Sequence, residues 1–239
     1  MLRYLISTIL AFLTFGILLV INYFPIWYIF LPAVIFWFGV MFGIAHIFAR
    51  KDKNIYKKLP ILFSVSVAIL VLLFLVEFFW IRIFLIGLNS VLVFFLFEIM
   101  FSRDPVLAYE QKPYRRIFMM MWVFCLYSGL TLLFALSMFF SNLNFFLLLI
   151  IFSALPVFVT FKIWSLYFDN VLEKYKIFLV VVWLFSFEVL WVFHYLPLGY
   201  FALSVLFVWL WYVIQLLARF YITKRGIIWK KQIIFLLIN

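Results

Sequence analysis

Residues 187–200 read FEVLWVFHYLPLGY. From Phe187 to Tyr195 the stretch is apolar apart from Glu188 and His194, and LPLG follows at 196–199. Pro197 lacks a backbone N–H and Gly199 frees the chain, so one helix stops here and the aromatic-rich run from Tyr200 begins another. A long apolar helix, a short uncharged turn and a second long apolar helix form a pair of membrane crossings. Barrel strands would instead alternate in segments of about ten residues.

The rest of the chain repeats this plan. It is 71% hydrophobic and 11% charged, with a mean hydropathy of +1.30, whereas soluble domains are about half apolar and a quarter charged. The pattern predicts an all-α, polytopic transmembrane bundle, with helices over 4–21, 26–49, 60–80, 83–101, 117–140, 145–167, 177–196 and 200–222. A break near 80–83 splits the apolar region 60–101, which is about twice the length of one crossing. One membrane domain accounts for the 239 residues, with halves at 1–110 and 111–232 and an interfacial tail at 233–239. The first run follows Arg3, is too long for a signal-peptide core and precedes no small-x-small site, so it reads as a retained signal anchor.

The charges lie in the gaps. Runs such as RKDKNIYKKL at 50–59 and SRDPVLAYEQKPYRR at 102–116 read as loops. With eight crossings, 18 of the 19 lysines and arginines fall on one side and only Arg82 on the other. That asymmetry places both termini in the cytoplasm and the basic segments against anionic lipid headgroups. It accounts for the formal net charge of +11 without nucleic acid as a partner.

Few residues offer chemistry. Cys125 is the single cysteine, so no intrachain disulfide forms, and no Cys/His metal spacing is present. GxSxG, HExxH, Walker and Gly-rich phosphate motifs are absent, and no cofactor is expected. A Glu–Arg pair in an eight-helix plan invites comparison with CAAX-type intramembrane proteases. Here, however, Glu77 has no paired glutamate, His46 precedes it, and His194 has no partner four residues on. No loop has room for a soluble catalytic domain. An enzyme is not expected.

Glu188 is the informative residue. An acid well inside a spanning helix costs about 2.5–3.5 kcal/mol on insertion scales, so it should face protein or water. A weaker echo, VEFFWIRIFLIGL at 76–88, repeats the Glu-x-x-Trp spacing with Glu77 and Trp80 and suggests a four-plus-four parallel repeat. Glu188, His194, Glu77 and Arg82 are the candidate polar cavity, and Glu77 with Arg82 is also read as an interfacial ion pair. Gly39 and Gly43, in GxxxG spacing, are the candidate helix-packing face. His46 reads as interfacial, Glu98 as an ion-pair member near Arg103, Pro156 as a kink, and Lys162 as snorkelling toward the following loop.

The pattern E-x-x-W-x-x-x-x-L-P-L-G at 188–199, followed by an aromatic-rich helix and a basic tail, resembles multispanning proteins of small-genome bacteria. The resemblance covers mainly 187–231 and implies a bacterial inner membrane without implying an activity. Two functional classes follow from the residues. In the first the chain is a non-catalytic membrane-complex component, packed with other membrane proteins or with itself. In the second it transports a small or lipophilic solute through a cavity containing Glu188. Scarce glycine and scarce intramembrane polar residues favour the first.

Overall fold

The computed structural model describes residues 2–24, 26–49, 54–101, 112–140, 142–168 and 171–222. Among these are eight helices and no strand: α1 (Leu2–Tyr23), α2 (Trp27–Ala49), α3 (Asn54–Leu75), α4 (Phe79–Phe101), α5 (Lys112–Phe139), α6 (Phe145–Trp164), α7 (Val171–His194) and α8 (Tyr200–Ile222). Seven are long and apolar enough to cross a membrane. The exception, α3, has an apolar part at Leu59–Leu75, at the short end of the roughly 17–25 residues that span a hydrocarbon core. The chain is a multi-pass helical membrane protein. Helix is the conformation such a sequence must take in lipid, because it bonds every backbone N–H and C=O within the segment.

Several boundaries differ from the sequence expectation. The break between α3 and α4 falls at 76–78, earlier than 80–83. Polar residues expected in loops continue the helices instead: α3 begins at Asn54, α5 at Lys112 and α7 at Val171. Charge ends the lipid-embedded part of a helix, but it does not end the helix, whose backbone bonds run on into the headgroup region. Tyr175, at φ −125° and ψ 18°, marks where the polar first turn of α7 joins its apolar body. Pro156 lies inside α6, buried, and the helix runs through it. The N-terminus of α6 is capped by Asn144, whose side-chain oxygen accepts from the Phe146 N–H at 3.0 Å. The expected tail at 233–239 lies outside the described residues.

The chain packs as two compact units, Met1–Cys125 and Leu126–Asn239. Their boundary passes through α5, whereas the expected halves divide at 110. In the first unit α1 packs most extensively on α4, α3 also packs on α4, and α2 packs on both α1 and α3, closing a four-helix ring. In the second, α6 packs chiefly on α7, and α8 packs on both.

Apolar packing alone gives little directional preference between helices in lipid, since the tails are as apolar as leucine. Tryptophan supplies direction here. The Trp37 indole N–H donates to Thr14 Oγ1 at 3.0 Å, tying α2 to α1. Trp183 donates to Ser153 Oγ at 2.9 Å, tying α7 to α6. Trp211 donates to Thr160 Oγ1 at 3.2 Å, tying α8 to α6. Ser153 also donates to the Ile150 carbonyl within its own helix, so that hydroxyl both donates and accepts.

Candidate functional site

Glu188 lies in continuous helix, six residues before the end of α7 at His194, or about 9 Å along the axis. The packed ridge of α7 is Leu179, Val182, Ser186 and Leu190. Glu188 stands opposite this ridge and is exposed. Its companions at helical spacing are Val181, Leu184, Trp191, Val192 and Tyr195, exposed by 56%, 50%, 40%, 61% and 71%. The face is therefore apolar and lipid-accessible, with a carboxylate set into it. No hydrogen bond or ion pair to Glu188 is formed among the described residues.

The other predicted members of the polar cavity have separate roles. His194 lies flat on Phe145, the first residue of α6, with ring centroids 3.7 Å apart and planes 16° apart. This stack joins the end of α7 to the start of α6. Arg82 donates from Nε to the carbonyl of Val76, the residue after the end of α3. It thereby satisfies an acceptor that the helix terminus leaves open. The expected Glu77–Arg82 ion pair is not formed, and Glu77 stands exposed in the break between the two helices. Glu77 and Arg82 belong to the first unit, Glu188 and His194 to the second. The echo of Glu-x-x-Trp thus has different local settings, a break for Glu77 and mid-helix for Glu188.

Gly39 and Gly43 have nothing within 4 Å of where a Cβ would stand. Among the described residues, no element uses this close-approach face. Among the described glycines, the one that another segment approaches is Gly129 on α5, where a Cβ would lie 2.7 Å from Leu155 Cδ1. His46 stacks on Phe42, one turn earlier, at 5.9 Å and 13°. Glu98 Oε1 is buried without a partner, and Arg103 lies outside the described residues. Lys162 does not extend toward the loop. It leans back over its own helix, with Nζ 5.3 Å from the Phe158 ring centroid and 5.7 Å from that of Phe161.

One polar feature has no counterpart among the sequence expectations. Thr14 and Ser66 lie nine residues before the ends of α1 and α3, and Trp37 and Asn89 ten residues after the starts of α2 and α4. All four thus share one depth in the first unit. They are 0%, 1%, 0% and 0% exposed, respectively. Thr14 and Trp37 bond each other, while Ser66 Oγ and both amide atoms of Asn89 have no partner. A lone Asn amid an apolar run, IGLNSVLV at 86–93, is the same kind of signal as Glu188 and points to a buried polar layer.

A groove of about 420 Å³ runs between α6 and α7, with walls that include Ala154, Phe158, Leu179, Val180 and Trp183. Its walls are apolar, and Glu188 is not among them. No cluster of three or more His, Cys, Asp or Glu able to hold a metal occurs among the described residues. Compared with protein-family models, curated proteins and solved structures, the chain matches none.

Proposed function

We propose that the chain is a non-catalytic component of a membrane protein complex, and that it receives another membrane helix on the outward face of α7. One observation carries this reading: Glu188 is exposed and unpaired on a face otherwise made of Val181, Leu184, Trp191 and Val192. Left against lipid, a carboxyl group there costs a few kcal/mol. A neighbouring helix that brings a lysine, an arginine or another donor to the same depth removes that cost and fixes its own register. The partner is recognised by that donor on an otherwise apolar helix. The open Gly39–Gly43 face on α2 gives a second surface where a helix backbone fits closely.

Transport through a cavity around Glu188 is the weaker reading, since the groove beside α7 is apolar and does not reach that residue. The proposal includes a bacterial inner membrane and cytoplasmic termini, supported by the placement of all basic residues but Arg82. A fluorescent reporter fused at the C-terminus should then fold, and a periplasmic reporter inserted after Gly199 should be active.

The direct test places a photo-cross-linking residue at Leu184 or Val192, one turn to either side of Glu188, in native membranes. Protein adducts at both positions, strongly reduced by Glu188→Leu, are expected. Adducts with lipid alone at both positions would refute the docking face.

A further inference from the structure

We infer that the groove between α6 and α7 is a binding site for an anionic phospholipid: an acyl chain lies in the groove and the phosphate meets Lys162 and Lys176. The site does not depend on Glu188 or on the docking of another helix.

The groove has the chemistry of an acyl-chain slot. Its volume is about 420 Å³, open on one side and lined by apolar side chains from the two helices. One wall is held in place, because the Trp183 indole is tied to Ser153 of the opposite helix at 2.9 Å. The indole N–H is satisfied by Ser153 Oγ, which donates in turn to the Ile150 carbonyl, leaving the ring to present carbon to the groove.

Charge at one end selects the headgroup. The Lys162 ammonium lies over the rings of Phe158 and Phe161, both of which line the groove. With its ammonium over two of the lining rings, its charge stands beside the groove's apolar surface. Lys176 is exposed on α7 between the lining residues Leu172 and Val180, four positions from each, and therefore shares the face that bounds the groove near the Lys162 end. Lys162, Lys174 and Lys176 outnumber the carboxylates of this segment, Asp169 and Glu173. An apolar slot with ammonium groups at one end complements a lipid that is both anionic and two-ended. A zwitterionic headgroup would bring its own cation to the same lysines and lose most of the attraction.

The full chain, delipidated in detergent, is titrated with phosphatidylglycerol or with phosphatidylcholine of the same acyl chains, and retained lipid is counted by native mass spectrometry. The wild type should retain phosphatidylglycerol preferentially, by about thirtyfold, the scale expected of two lysines near a phosphate. Lys162→Ala with Lys176→Ala should abolish the preference, whereas Lys162→Arg with Lys176→Arg should keep it. Val180→Trp, which fills the slot, should reduce retention of both lipids. Each variant is first shown to elute as a monodisperse species with unchanged helical circular dichroism, and one that fails this is replaced by Ala154→Phe or by single lysine substitutions. Equal retention of the two lipids by the wild type would overturn the site. So would an undiminished preference in the double alanine variant, or wild-type retention in a folded slot-filling variant.

Discussion

The Trp183 indole on α7 donates to Ser153 Oγ on α6 at 2.9 Å, and Ser153 in turn donates to the Ile150 carbonyl at 2.9 Å. Ser153 is fully buried and Trp183 partly exposed, so the bond runs from the lipid-facing side into the packed seam. Ser153→Ala and Trp183→Phe should each destabilise the protein. Their double-mutant cycle should return a coupling of about 0.6–1.7 kcal/mol, the range of interhelical bonds in membranes. Unfolding measured by steric trapping in bicelles gives this directly. A coupling near zero would mean that the helices are placed by packing alone.

Gly129 should be the most sensitive glycine in the second unit. A Cβ there would stand 2.7 Å from Leu155 Cδ1, too close to leave both in place. The atom it meets is the far end of a flexible side chain, so Gly129→Ala should cost little, about 1 kcal/mol or less, as Leu155 changes rotamer. Gly129→Val adds two branches with no room to move and should cost about 1–3 kcal/mol. Gly39→Ala and Gly43→Ala meet open space and should leave stability unchanged, while weakening assembly if a partner uses that face. Thermal unfolding of the four variants separates these outcomes.

The contrast between these glycines shows what the sequence makes legible. Apolar run length and turn residues locate helices well, and α8 spans Tyr200–Ile222 as the pattern predicts. The end of α3 was harder to place, because neither Gly nor Pro marks the break at 76–78. What closes that helix is Arg82, six residues beyond the carbonyl it binds. Spacing such as GxxxG shows which residues share a face, but whether anything packs there depends on the ring of helices as a whole. For Glu188, depth and cost are legible from its place in the apolar run, whereas its direction depends on which ridge of α7 is packed. Asn89 is less legible, because an uncharged amide stands out less than an acid in an apolar run.

Arg82 should hold the α3–α4 turn through its own hydrogen bond and not through Glu77. Nε donates to the Val76 carbonyl, while Glu77 is exposed and makes no ion pair. Arg82→Gln should lower stability by about 1 kcal/mol, less than a buried charged bond because the guanidinium is half exposed. It should also speed proteolysis between α3 and α4. Glu77→Gln should do neither. Equal effects from the two substitutions, with no additivity in the double variant, would restore the ion pair.

Asn89 should be a residue that the fold tolerates at a cost. It lies fully buried near the middle of α4, with both amide atoms unpartnered, at the depth where Ser66 Oγ is also unpartnered. An unsatisfied buried polar group costs about 1–3 kcal/mol, and replacement by an apolar side chain of similar size removes that cost. Asn89→Leu should therefore raise stability by about 1 kcal/mol or more, and Ser66→Ala by a smaller amount. Asn89→Asp should destabilise strongly, because a carboxylate at that depth brings a charge with no cation described near it. Unfolding free energies of the three variants decide the matter. A loss of stability in Asn89→Leu would show that the amide makes bonds the fold depends on, and would turn the Thr14–Trp37–Ser66–Asn89 layer from a tolerated cost into a specifying network.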